Sequence, residues 1–153
     1  MKIYFTFGSD LKEGFVPQVP MTTSILADES VDEIVGDYVI EKVPDLVAFI
    51  DECYRLLRPG AKATLTAYHF ANTLAWTSPL VRRGISETSL NFASKDWREA
   101  SKFSDCFVKA NFEVNGSFAV DQESQNRSDE AKSFWVKRYL NVAHQVIFTL
   151  TKK

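Results

Sequence analysis

The stretch from Val31 to Tyr68 constrains the fold more than any other part of the chain. Val31 to Val35 is a short, mostly apolar run that ends at Gly36 and reads as a buried strand. In Pro44 to Leu57, residues Leu46, Phe49, Ile50, Cys53, Leu56 and Leu57 recur at helical spacing, with proline tolerated in the first turn. Arg58-Pro59-Gly60 then stops the helix. From Lys62 to Tyr68, Ala63, Leu65 and Ala67 alternate with Thr64 and Thr66, the period of a strand with one face in the core. A strand, helix and strand joined this closely predict a parallel pair with a crossover, which is right-handed in nearly all proteins.

The flanking sequence extends this unit. Residues 2–7 are β-branched or aromatic and predict a first strand stopping at Gly8. A second, short strand is expected around Gln18 to Thr23, where two prolines weaken the pattern. Ser94 predicts the N-cap of a helix through Trp97, Ala100, Phe103, Phe107 and Ala110, with Asn111 as a left-handed stop. Phe112 to Val120 and Val142 to Leu150 read as late strands, separated by a polar loop and a helix near Asp129 to Tyr139. The expectation is an α/β fold: a Rossmann-like doubly wound sheet, mostly parallel, with the late pair antiparallel at one edge. With no internal repeat, low-complexity tract or linker, residues 1–153 are expected to form a single domain.

Composition removes several function classes. Hydrophobic residues make up 45% and charged residues 25%, close to a soluble globular average. The 18 basic and 20 acidic residues give a net charge of −2, without the basic excess that nucleic-acid binding usually needs. The N-terminus turns polar too soon for a signal peptide, and no apolar run reaches membrane-spanning length, so a cytoplasmic protein with no membrane partner is expected. Cys53 and Cys106 lack CxxC spacing, and the only histidines, His69 and His144, are far apart, so no metal site is expected.

Ligands of doubly wound sheets bind outside the carboxyl ends of the strands. The residues there are Phe7-Gly8, Gly36-Asp37-Tyr38 and Tyr68-His69. Three linked blocks around them carry a family pattern: Ala27-Asp28-Glu29-Ser30-Val31-Asp32-Glu33-Ile34, Tyr38-Val39-Ile40-Glu41-Lys42-Val43-Pro44-Asp45-Leu46 and Glu52-Cys53-Tyr54-Arg55-Leu56-Leu57-Arg58-Pro59-Gly60-Ala61. These blocks resemble the "D-x-S-[FV]-D", "v-L-E-H-v" and "E-x-x-R-v-L-k-P-G-G" runs of class I S-adenosylmethionine-dependent methyltransferases. Ser78-Pro79-Leu80-Val81-Arg82-Arg83-Gly84-Ile85 and Asn141-Val142-Ala143 look like later segments of its short members.

The resemblance implies S-adenosylmethionine as cofactor, beside Phe7, Gly8, Asp10, Asp37 and Tyr38. Phe7, Tyr38 and Trp76 would offer aromatic faces to its sulfonium. His69 would act as a general base, and Trp76, Arg82 and Arg83 would line an acceptor pocket suited to a carboxylate or phosphate. Plainer readings of the same residues stay open: strand-end core, turn glycine, exposed loop acid, surface arginine pair. Glu41 is expected to cap the following helix or form a salt bridge at its start.

The chain also departs from the family pattern. Thr6-Phe7-Gly8-Ser9-Asp10 has one glycine where relatives have two or three, and Val19-Pro20-Met21-Thr22 has no acid for the ribose hydroxyls. Glu41-Lys42 stands for "E-H" and Ser78-Pro79-Leu80-Val81 for "D-P-T-H". Two expectations follow: a methyltransferase acting on a small-molecule or sugar-like acceptor, or a non-catalytic methyltransferase-like protein that binds a protein partner, another ligand or its own copies. A dinucleotide oxidoreductase fits poorly, because no GxGxxG follows the first strand.

Overall fold

In the computed structural model, which describes residues 1–7, 12–20, 25–103 and 107–153, the strand-helix-strand unit forms as its spacing demands. The elements in chain order are β1 (Lys2–Phe5), β2 (Val16–Gln18), β3 (Val31–Asp37), α1 (Leu46–Leu56), β4 (Leu57–Tyr68), α2 (Lys95–Ala100), β5 (Phe112–Val120), α3 (Asp129–Val136) and β6 (Ala143–Lys152). Among the described residues the strands form one sheet in the order β2-β1-β3-β4-β6-β5. The first four are mutually parallel, and β6 runs antiparallel to both β4 and β5. This is the expected Rossmann-like α/β sheet with an antiparallel pair at one edge.

Register aligns the apolar positions into two transverse rows. Ile3, Ile34, Ala63, Leu150 and Val114 form one row, and Phe5, Gly36, Leu65, Phe148 and Gly116 the next. Helix α1 packs on this side, burying Phe49, Ile50, Cys53 and Leu56. Phe49 meets Phe5 edge-on at 5.0 Å between ring centroids, which ties the helix to β1. The opposite face carries Thr64, Thr66, Thr149 and Thr151, half-buried, with Ser117 and Ile147 exposed.

Sequence and structure part in several places, one of them β4, which begins at Leu57 and takes Arg58-Pro59-Gly60 into the strand where a turn before Lys62 is expected. Helix α1 begins at Leu46 with Asp45 as N-cap, its Oδ1 accepting from the Ala48 amide at 2.9 Å. A capping carboxylate outweighs the first-turn preference of Pro44. The second strand forms at Val16–Gln18, earlier than expected, while residues 21–24 lie outside the described ones. The helix expected to reach Ala110 ends at Ala100: Ser94 does cap it, accepting from the Trp97 amide, but Lys102 adopts φ 53° two residues past its end. Phe107 is therefore exposed, and Asn111 accepts from the Lys95 amide through Oδ1 instead of closing a helix. Cys106 lies outside the described residues.

Two glycines mark close approaches. A Cβ at Gly36 would sit 2.9 Å from Val39 Cγ2 and 3.0 Å from Leu65 Cδ2. At Gly116 it would sit 2.1 Å from the Glu87 carbonyl oxygen, a backbone atom that cannot swing aside. Gly116→Ala is therefore expected to destabilise the fold by roughly 1–3 kcal/mol or more. Gly60→Ala, in open space at φ 79°, should cost only about 1–2 kcal/mol of backbone strain. Urea denaturation of the two variants tests this order; equal losses would mean that residue 87 does not press on β5.

Candidate functional site

Strand order reverses between β1 and β3: from β1 the chain goes to β2 on one side, then returns to β3 on the other. The carboxyl ends of these two strands open the crevice in which ligands of such sheets bind. Phe5 pairs with Gly36, and Asp37 with Thr66, so Phe7, Asp37-Tyr38 and Tyr68-His69 leave the sheet along one edge. Phe7 is 37% exposed and Asp37 half-buried. Gly8 and Asp10 lie outside the described residues.

Tyr38 has φ 56°, a left-handed backbone that costs a non-glycine residue about 1–2 kcal/mol. Three contacts hold it there. Its amide donates to the Thr66 carbonyl at 2.8 Å, its ring stacks on Tyr68 at 4.4 Å, and its hydroxyl accepts from Gln145 Nε2. Burial, with Tyr68, Asp37 and Glu41 adding, pushes the phenol up to about 12, so it stays neutral. Tyr68 is one of the strand-end residues the sequence points to, an aromatic ending β4; Gln145 has no such signal, because only the β4–β6 register brings it there.

Glu41 departs from expectation. It is 3% exposed, and among the described residues it neither caps α1 nor forms an ion pair, and both carboxylate oxygens lack a hydrogen-bond partner. Burial raises its pKa above the usual carboxylate range, opposed by its own backbone, Lys42, the backbone at Tyr68 and Arg83. Tyr68 is two residues beyond Thr66, where β3 has ended, so this acid lies beside the carboxyl end of β4. The Glu41 carbonyl accepts from the Arg82 amide at 2.8 Å. Arg83 clamps the same loop, donating to the carbonyls of Ile40 at 2.7 Å and Pro44 at 3.1 Å.

His69 is 1% exposed. Its Nδ1 accepts from the Ala71 amide at 3.1 Å, leaving the proton on Nε2, which lies 3.7 Å from Glu87 Oε2. Burial lowers its pKa despite Glu87, so the ring is neutral. Both nitrogens are thus turned toward protein groups. Trp76 is 59% exposed beyond β4, with Nε1 donating to the Phe70 carbonyl at 2.9 Å, and the Arg82 side chain is exposed. The structure therefore gathers Phe7, Asp37 and Tyr38 at the crevice, buries His69 behind it, and sets Trp76 and Arg82 on the rim.

Comparison with known proteins bears on the fold. The family model described as a methyltransferase domain matches residues 11–65. A probable S-adenosylmethionine-dependent methyltransferase of Mycolicibacterium smegmatis is 41% identical over 51 residues, which are 33% of this chain and 18% of that protein. A solved S-adenosylmethionine-dependent methyltransferase of Thermotoga maritima, titled a possible histamine N-methyltransferase, is 17% identical with TM-score 0.53, covering 91% of this chain and 64% of that one. Another, from Archaeoglobus fulgidus, is 12% identical with TM-score 0.54, covering 83% and 62%. At such identities the solved structures establish the fold, and the chain spans less than two thirds of these relatives.

A buried carboxyl with a raised native pKa fixes a pH dependence. An unfolded glutamate ionises near pH 4.3, whereas native Glu41 keeps its proton to higher pH, so its contribution to stability is lost as pH rises from about 4 toward the native pKa. Relative to Glu41→Gln, the wild-type protein should lose stability across that interval and then level off. Chemical denaturation of both proteins from pH 4 to 8 measures the difference; a difference independent of pH would show that Glu41 titrates alike in the folded and unfolded chains.

Proposed function

We infer, from the chain's kinship with the class I S-adenosylmethionine-dependent methyltransferases, that it binds S-adenosylmethionine at the carboxyl ends of β1 and β3 and passes its methyl group to a small-molecule or sugar-like acceptor. The observation that carries this reading is the reversal of strand order at β1 and β3, with β3 inside the family match at residues 11–65 and β1 just before it. The residues at that edge fit the cofactor's chemistry. Phe7 offers an accessible aromatic face, Asp37 a half-buried carboxylate and Tyr38 a fixed backbone crossing between strands. A sulfonium is attracted to the first two.

The cofactor supplies a methyl group on a cationic sulfur, ready for in-line displacement. The protein's part is then positioning, which can supply roughly 7–11 kcal/mol without an acid or base. We assign His69 a positioning role: its neutral ring links the start of the rim, through the Ala71 amide, to Glu87. Arg83 fixes the loop from Ile40 to Pro44 through the two carbonyls to which it donates. Because the family match runs through β2, β3, α1 and most of β4, it favours this reading over a non-catalytic binding protein.

Calorimetric titration with S-adenosylmethionine and S-adenosylhomocysteine is the test. Both should bind. Phe7→Leu should weaken the sulfonium cofactor by roughly two- to thirty-fold, the range of a cation–π contact, and the neutral product less. Absence of binding by either at millimolar concentration would overturn the reading.

A further inference from the structure

Beyond β4 the surface changes character. Leu74 is 47% exposed, Trp76 59% and Leu80 57%, all on one loop, and Leu140 is 71% exposed on the turn after α3. These two segments are one surface, because the Asn141 amide donates to the Ala71 carbonyl at 2.9 Å while Asn141 Oδ1 accepts from the Thr73 amide at 2.8 Å. The apolar side chains are thus held out by structured backbone.

Charge on these segments is net positive. Residues 70–86 contain two arginines and no acid, and residues 129–141 contain three basic residues against Asp129 and Glu130, so the two segments together carry five bases and two acids in a chain where acids outnumber bases by 20 to 18. Arg83 and Lys132 are engaged, with backbone carbonyls and with Asp129. Arg82, Lys137 and Arg138 are exposed, and Arg138 lies 4.0 Å over the half-exposed Phe134 ring.

We propose that this rim docks the protein peripherally on an anionic lipid bilayer, with Leu74, Trp76, Leu80 and Leu140 entering the interfacial region and Arg82, Lys137 and Arg138 meeting headgroup phosphates. Aliphatic and tryptophan side chains beside exposed cations are the composition of an interfacial contact. Nucleic acid would use the cations and the aromatic ring but gain little from three exposed leucines. The contact is peripheral, since among the described residues no helix is long and apolar enough to cross a membrane. Docking requires no cofactor, so its test is independent of the methyl-transfer reading.

The test is co-sedimentation of the whole chain with vesicles of phosphatidylglycerol and phosphatidylcholine, against phosphatidylcholine alone. Binding to the anionic vesicles should be at least about tenfold tighter and should weaken with salt. Leu80→Ser with Leu140→Ser should reduce it by about tenfold or more, and Arg82→Glu with Arg138→Glu should abolish it. Circular dichroism checks that each variant is folded; should the double leucine variant lose structure, Leu74→Ser reads the same direction. Failure to pellet with anionic vesicles at low salt would overturn the proposal. So would leucine variants that pellet like wild type, or single-stranded RNA bound tighter than vesicles and indifferent to the leucine changes.

Discussion

Strand β3 is paired in parallel on both edges, with β1 on one side and β4 on the other, and the candidate site depends on where that pairing stops. Gly36 allows it. At this position Val39 and Leu65 close over the strand at distances no Cβ would tolerate, so the chain packs down and turns within two residues of the last ladder pair. Tyr38 takes a left-handed backbone to make the turn and is held by a ladder bond, a stacked ring and a cross-strand hydroxyl contact. The strain is local, and the surrounding sheet outweighs it.

The two edges of the sheet use charge differently. At the amino end, Lys152 is buried yet satisfied: it donates to the Leu57 carbonyl at 2.8 Å and to Glu29 at 3.1 Å, and lies over the Tyr54 ring at 4.6 Å. Arg55 there is held by Glu52 and Asp28, and Arg58 by Asp32. At the carboxyl end, Glu41 is buried without a hydrogen bond among the described residues, His69 is buried and neutral, and Tyr38 is strained. Unsatisfied and strained groups cost stability, and they tend to collect where a fold holds its ligand. Left-handed backbone occurs at both ends, at Glu29 (φ 53°) as at Tyr38, so it is the unsatisfied burial of Glu41 that sets the carboxyl end apart as the functional candidate.

Much of this was legible from residue order. The periods of Val31 to Tyr68 yielded β3, α1 and β4 within two residues at most ends, because each of these elements buries one regular face. Short-range polar choices were harder. Pro44 and Asp45 both suit a helix start, and only the bond from the Ala48 amide decides for Asp45. The apolar spacing from Trp97 to Ala110 mimicked a helix, although Phe103 and Phe107 stay largely in solvent and the chain turns at Lys102. Helical spacing alone does not say whether a partner surface exists to bury the stripe.

By itself the sequence determined the parallel unit, its helix and the edge at which strand-end residues gather, since hydrophobic period and turn chemistry act over neighbouring residues. The tertiary structure alone decided how the polar groups at that edge are used. Glu41 left its expected place near a helix start for a buried one, His69 turned both nitrogens inward, and Tyr38 found Tyr68 and Gln145 across two further strands. Solvation and hydrogen-bond partners depend on what lies nearby in space, and for these residues those neighbours come from strands and loops up to 107 positions away.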